Sequence, residues 1–503
     1  MLSIYKIGEK MPTPMSLKSK TITGVFWSFT DLLANHGIQF LVQIILARLL
    51  LPEHFGILGM VLVFISVSNA IVDSGFSQAL IRDQNTTQED YSTVFYFNLF
   101  ISLVIYGILF STANMFSVFF EEPQLTNIIR VITLVLVINA LAIIQKAMLV
   151  KKVDFKTLTK ISLIAVIISG GLTIFLAMSG FGVWSLVMNM IALQSIQTVL
   201  LWYFNKWIPS LTFKVQSFKK FYSFGYKLLL SGLIDTLFYY SYFVIIGKMH
   251  LTNQLGYYTN SVKIKDLASF AIVSTVQRVT YPVLSSIQQE EERMTYGFKS
   301  VIKTSAFINF PLMVGLAAIA KPLFIVLFGD KWIPSVAYFQ LLCFAGMFYP
   351  LHSINQNVLQ VKGRSDLILQ MEIIKKSLLA ILIVLSLVFG FGIIGLIWTS
   401  VISSFVSFLI NSYYTSREIE YSSIEQIKDL LPSFLISFMM GFVVFEVGRF
   451  MDGNDLLQLI SQITIGIAIY IIISKILRVQ ELNTLYQMVL PVVKKVKGFS
   501  GRR

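Results

Sequence analysis

Apolar runs of about twenty residues recur along the chain, separated by short polar stretches. Each run is long enough to cross a bilayer as an α-helix. None breaks into the short alternating segments of a membrane β-barrel. The pattern predicts fourteen spans, at roughly 23–47, 55–80, 91–119, 125–149, 159–179, 182–206, 224–248, 262–285, 300–328, 335–360, 366–389, 392–415, 431–450 and 456–478. The eighth is the most polar, rich in Ser, Lys and Gln. The expected fold is an all-α polytopic membrane protein with about fourteen transmembrane helices.

Lys and Arg in the short connections orient these spans. Lys6, Lys10, Lys18 and Lys20 precede the first span. Lys146, Lys151, Lys152, Lys156 and Lys160 surround the connection after the fourth, and Lys206, Lys214, Lys219 and Lys220 that after the sixth. Lys494, Lys495, Lys497, Arg502 and Arg503 close the chain. With fourteen crossings all of these fall on one side, so both termini are expected in the cytoplasm. The start of the chain reads as a cytoplasmic tail leading directly into the first span.

The chain also repeats itself. "ARLLLPEHFGILG" (Ala47–Gly59) aligns with "GKMHLTNQLGYYT" (Gly247–Thr259) at an offset of 200, pairing Arg48 with Lys248 and Gly56 with Gly256. "QKAMLVKKVD" (Gln145–Asp154) resembles "QNVLQVKGRSD" (Gln356–Asp366), and "FGVWSL" (Phe181–Leu186) matches "FGIIGL" (Phe391–Leu396). Six crossings separate the copies, which makes them parallel repeats: two six-helix lobes related by a pseudo-two-fold axis along the membrane normal, plus two extra C-terminal helices. The expected organisation is a cytoplasmic tail at 1–22, an N-lobe at 23–207, a cytoplasmic linker at 208–223, a C-lobe at 224–416, spans thirteen and fourteen at 431–478 and a basic amphipathic tail at 479–503. Transporters place their substrate path between such lobes.

Polar residues inside the spans are the candidates for function. Asp31, Asn35, Gln39 and Gln43 are spaced by four, a slowly winding stripe on the first helix, with His36 at its edge. Asp235 holds a similar depth in span seven. Gln356 and Gln360 follow His352 at the same spacing, and Asn189, Gln194 and Gln197 lie in span six. The amides Asn35, Gln39, Gln43, Gln356, Gln360 and Asn189 read either as the lining of a hydrated path or as polar glue between helices. Asp31, His36 and Asp235 are candidate sites for a coupling ion, H⁺ or Na⁺. Arg48, Arg130, Lys248, Lys263, Lys265 and Arg278 place positive charge near membrane depth, which suits an anionic cargo with phosphate. At span ends such side chains also snorkel to the headgroups. Lys263 and Asp266 are three apart, within reach of a simple ion pair.

Composition agrees and excludes other classes. The chain is 55% hydrophobic and 13% charged, against about 25% charged for soluble domains. The net charge of +14 is spread over short connections rather than gathered in one patch, which argues against nucleic acid. Cys343 is the single cysteine and lies in an apolar run, a small buried hydrophobe. No Walker, HExxH or CxxC pattern occurs, and neither a cofactor nor a metal is expected. Every external loop is expected to be short, which disfavours a membrane polymerase or ligase needing a sizeable external catalytic loop.

"ILARLLLPEHFGILGMVLVFISV", "VDSGFSQALI" and "YSTVFYFNLF", with "LGYYTNSVKIKDL" and "YPVLSSI" in the second repeat, resemble Wzx-type polysaccharide exporters. The likeness is to the colanic-acid and teichuronic-acid subgroup of the multidrug/oligosaccharidyl-lipid/polysaccharide superfamily and covers most of residues 22–420. It implies a flippase in the bacterial cytoplasmic membrane. The cargo would be an undecaprenyl-pyrophosphate-linked oligosaccharide, turned from the cytoplasmic to the outer leaflet by alternating access. Membrane lipids and other polysaccharide assembly proteins are the implied partners. The resemblance places a basic residue at Lys263, and gives spans thirteen and fourteen a groove for the lipid tail. A drug/cation antiporter of the MATE type is the alternative; such proteins usually have twelve spans and acidic cavities.

Overall fold

The computed structural model describes residues 34–83, 85–451 and 453–487, and among them there is no β-strand. Helix α1 is described over 34–49. Pro52 opens α2 (Pro52–Asp73), at the helix position where a missing N–H costs nothing. The chain then breaks at Ser74 and Gly75, whose φ values are 47° and 71°, and resumes as α3 (Phe76–Arg82). Asp73 accepts from the Ser77 N–H at 3.3 Å across this break. The first repeat continues as α4 (Gln88–Phe120), α5 (Leu125–Ile132), α6 (Leu134–Lys151), α7 (Phe155–Met178) and α8 (Val183–Asn205). Next come α9 (Val215–Met249), α10 (Thr252–Ser286), α11 (Glu291–Ala318), α12 (Ala320–Phe328), α13 (Ser335–Gly346), α14 (Tyr349–Val361), α15 (Ser365–Val388) and α16 (Gly392–Thr415). Helices α17 (Ser423–Phe450) and α18 (Asp455–Ile476) follow.

Among the described residues, ten helices are long and apolar enough to cross a membrane. The other four expected spans depart from that pattern for visible reasons. The first is described only from residue 34. The eighth is α10, which carries Lys263, Lys265 and Asp266, and the eleventh is α15, which carries Glu372, Lys375 and Lys376. The tenth, expected as one span over 335–360, is two helices, α13 and α14. Pro350 lies in the first turn of α14, where its ring and missing N–H prevent one helix from running through. The carbonyls freed by the break find donors elsewhere: Asn309 Nδ2 donates to Met347 O at 2.7 Å and Ser404 Oγ to Ala345 O at 2.7 Å. That is how a membrane protein tolerates irregular backbone. Residues 215–223, expected in a linker, form the first turns of α9.

The chain divides into two compact units. Unit 1 comprises residues 1–46 and 61–237; unit 2 comprises 47–60 and 238–503. In unit 1 the core beneath α4 and α6 is Phe76, Leu80, Phe95, Ile144 and Trp207. Amides bonded to one another link its helices. Asn139 donates to Asn69 at 2.9 Å, Gln194 donates to Asn139 at 3.1 Å, and Asn205 donates to Gln145 at 2.7 Å. Among its described charge pairs are Lys220–Asp83 and Lys214–Glu89, at the ends of the apolar spans. Lys220 beside Asp83 holds that carboxyl below the usual carboxylate range.

Unit 2 carries the two C-terminal helices. Helix α17 packs along α11, where Gly441 lies against Val314. Gln462 of α18 donates to Val444 O at 2.8 Å, and Tyr470 donates to Phe307 O at 2.8 Å. Side chains such as Phe442, Leu457 and Ile467 are mostly exposed on these helices, as expected where the surrounding solvent is hydrocarbon. The turn "GFG" recurs in both units. Gly180 and Gly182 have φ of 83° and 54°, and Gly390 and Gly392 have 65° and 63°. This left-handed backbone is open to glycine at little cost, so the repeat read from sequence is also a repeat of local geometry.

Candidate functional site

The repeated segments Ala47–Gly59 and Gly247–Thr259 meet inside unit 2. A Cβ on Gly56 would sit 1.9 Å from Thr252 O, and one on Gly256 would sit 1.8 Å from Pro52 O. The offset of 200 that maps Gly56 onto Gly256 also maps Pro52 onto Thr252, so the contact is reciprocal. Backbone meets backbone here, and only glycine leaves the room. Phe55 packs edge-on against Trp332, with ring centroids 5.2 Å apart.

Arg48 and Lys331 fasten the same corner by exchanging helix caps. The Arg48 guanidinium donates to Leu327 O at 2.9 Å and also to Val326 O, carbonyls in the last turn of α12. Lys331 donates in return to Arg48 O at 2.8 Å and Leu50 O at 2.7 Å, at the end of α1. Trp332 Nε1 donates to Ala47 O at 2.8 Å. Cations at helix C-termini satisfy orphan carbonyls and complement the helix dipole. Burial pushes the Lys331 ammonium below the usual lysine range.

Farther along α10 the packing opens. Lys263, Asp266 and Leu267 are half-buried and share one helical face, while Val262, Ile264 and Lys265 are buried. The Lys263 ammonium lies 5.8 Å from the Phe55 ring centroid. Asp266 pairs with Lys265 rather than Lys263 and also accepts from the Tyr239 hydroxyl. Lys265 is 2% exposed and lies over the Tyr349 ring at 4.7 Å.

A second charged cluster lies nearby in the same unit. Glu372 pairs with Lys375 at 2.5 Å and accepts from Gln356 at 2.8 Å. His352 Nε2 is 3.0 Å from Ser404 O, and Tyr242 is hydrogen-bonded to Thr399 at 2.9 Å. The sequence signal for Glu372 and Lys375 was their spacing of three within an apolar run. Tyr239 and Tyr349 carried no signal, because aromatic residues are everywhere in this chain.

The other predicted residues are scattered. Asn35 accepts from Gln39 at 3.1 Å along α1. His36 and Gln43 are half-buried on the same helix, Asn189 is half-buried on α8, and Gln360 is exposed at the end of α14. Arg130 lies over the Phe110 ring at 4.8 Å in unit 1. Asp235 and Lys248 are exposed on α9. Asp31 and the side chain of Arg278 lie outside the described residues. The structure thus places Lys263 and Lys265 in one turn of α10, bonds Gln356 to Glu372, and leaves Arg48 and Arg130 bonded to backbone carbonyls.

An apolar crevice of about 550 Å³ opens between α11, α13, α16 and α17, lined among others by Val314, Phe344, Trp398, Phe438 and Phe442. Helix α17, the first of the two extra C-terminal helices, forms one of its walls.

Comparison with known proteins places this architecture. The chain is 27% identical to the teichuronic acid biosynthesis protein TuaB of Bacillus subtilis over 75% of its own length and 78% of that protein. It is 23% identical to the succinoglycan biosynthesis transport protein ExoT of Rhizobium meliloti, over 91% and 93%. It is also 23% identical to the lipopolysaccharide biosynthesis protein WzxC of Escherichia coli, over 86% and 89%. The fold is similar to that of the lipid II flippase MurJ in an inward closed conformation, with TM-score 0.72 and 16% identity over 91% of this chain and 98% of that one. An inward-facing multidrug resistance MATE family transporter of the MOP superfamily matches at TM-score 0.62 and 16% identity, over 76% and 95%. A family model described as polysaccharide biosynthesis protein matches residues 45–337, more than half of the chain, and the chain belongs to that family.

Proposed function

We propose that this multi-pass membrane protein is a flippase that turns an undecaprenyl-pyrophosphate-linked oligosaccharide from the cytoplasmic to the outer leaflet, for export of a cell-surface polysaccharide. It works by alternating access in the bacterial cytoplasmic membrane, with both termini in the cytoplasm. The observation that carries the reading is Lys263. Its ammonium stands on the open face of a membrane helix, and among the described residues it has the Phe55 ring beside it and no carboxylate within ion-pairing distance. A bare cation at that depth is costly and suits a passing pyrophosphate, which carries its charge on oxygens that lysine can meet as a point charge. The succinoglycan transport protein ExoT and the lipopolysaccharide biosynthesis protein WzxC, as relatives, support the cargo class. The MATE likeness is one of fold and covers less of the chain.

The apolar crevice beside α17 suits a polyprenyl or acyl chain, since nothing along its wall is charged. Half-buried amides such as Asn35 and Gln43 offer hydrogen bonds to sugar hydroxyls without fixing one sugar. Asp31, His36 and Asp235 are the groups proposed to couple transport to H⁺ or Na⁺. Lys263→Ala should abolish polysaccharide export in cells lacking any other flippase, while the protein still inserts at wild-type levels; Lys263→Arg should restore part of it. Normal export by Lys263→Ala overturns the cationic path.

A further inference from the structure

We propose that Tyr239 and Asp266 form a binding site for one pyranose ring, the sugar joined directly to the pyrophosphate. The inference rests on the flippase reading above and names a subsite within it.

Tyr239 sits midway along the apolar span Leu229–Met249, yet it is 42% exposed. The Asp266 side chain, bonded to the Tyr239 hydroxyl, is 38% exposed. A carboxylate so open to hydrocarbon would be prohibitively expensive, so this face of unit 2 is wet at mid-membrane. Most aromatic residues at this depth need no polar neighbour and serve as packing. Here the ring borders water and a carboxylate together.

That pairing matches the two sides of a sugar. One face of a pyranose is a plate of C–H groups, which lies well on an aromatic ring, and its rim carries hydroxyl donors. Asp266 retains the capacity for them. One of its oxygens meets Lys265 and the other takes the Tyr239 hydroxyl, whereas a carboxylate has about four lone-pair sites. Lys265, 2% exposed, pairs with the carboxylate and fixes its position. Tyr240 and Phe243 back the Tyr239 ring, with centroids 4.9 and 6.2 Å away, and hold it in place.

Position supplies the order of groups. Lys263 precedes Asp266 by three residues on the same open face of α10, a separation of about 4.5 Å along the axis. This is the scale of one sugar ring. A pyrophosphate on Lys263 therefore sets its first sugar against Asp266 and Tyr239. The aromatic plate and the acceptor then contribute affinity beyond that of the charged head.

The test uses the full-length protein in lipid nanodiscs and two probes, undecaprenyl pyrophosphate and undecaprenyl-pyrophosphate-linked glucose. Wild type should bind the glucosylated lipid about tenfold more tightly, the equivalent of one good polar and stacking contact. Tyr239→Ala and Asp266→Asn should each remove most of that increment while changing undecaprenyl pyrophosphate affinity by less than about twofold. Tyr239→Phe, which keeps the ring, should lose less than about threefold of the increment. Equal losses for both probes would make the pair structural and overturn the proposal, as would a preference for a cationic amphiphile such as tetraphenylphosphonium. Wild-type binding of undecaprenyl pyrophosphate with no gain from glucose overturns the sugar site alone. Binding of neither lipid overturns the carrier-lipid reading and the sugar site with it.

Discussion

Helices α2 and α10 are copies of one element, and they differ in chemistry at three matched positions. At the offset of 200, Val63, Ile65 and Ser66 of α2 correspond to Lys263, Lys265 and Asp266 of α10. Val63 and Ile65 are buried apolar residues. The same contrast runs through both units. Among the described residues, unit 1 joins its spans with amide chains such as Gln194–Asn139–Asn69. Unit 2 places ion pairs such as Lys265–Asp266 and Glu372–Lys375 within membrane helices. Amides bind helices together at little cost, whereas buried ions are costly to hold and are kept for specific chemistry. One backbone plan thus serves as scaffold in one copy and as charged surface in the other.

The contrast can be broken at three depths. The largest effect is expected from Glu372→Ala, which strands the buried Lys375 ammonium. Because Glu372 is a quarter exposed, the loss should be about 3 kcal/mol, the low end for a broken buried pair. Thermal unfolding in detergent measures it, and an unchanged midpoint would mean that the pair is solvated. Gly256→Ala comes next. Its Cβ meets a backbone carbonyl rather than a movable side chain, so the helices must part, at about 2 kcal/mol; Gly56→Ala should match it. The smallest effect is expected in unit 1. Asn139→Leu should cost about 0.6 kcal/mol, the average for a polar contact between membrane helices, and should leave export intact. A loss of export there would erase the distinction between scaffold and charged surface.

The repeat and the apolar spans were legible because both are properties of long stretches, and errors at single residues average out. The candidate at Lys263 was legible because a cation in a membrane run stands out. Pairing was not. Spacing offered Asp266 to Lys263 on the neighbouring turn, but Lys265 reaches it from the adjacent residue, directed by Tyr349 beside it. Helical periodicity cannot weigh neighbours contributed by other helices. The start of α9 was hidden for another reason. Its lysines interrupt the apolar run, while Phe218 and Phe221 pack into unit 1, an amphipathic pattern that a hydropathy count reads as linker. Arg48 carried the right charge for cargo, but only the structure shows its guanidinium on the carbonyls of Val326 and Leu327.

Those carbonyl bonds make the corner at Arg48 and Lys331 unusual among charge contacts. The acceptors are main-chain oxygens, which no codon can alter and no proton titrates within the range of life. Acidification leaves the acceptors intact, and a charge-reversal swap has no opposite member to exchange with. Suppressor genetics on Arg48→Glu would therefore find its rescues at sites that reshape the α12 terminus, never at a matching acid.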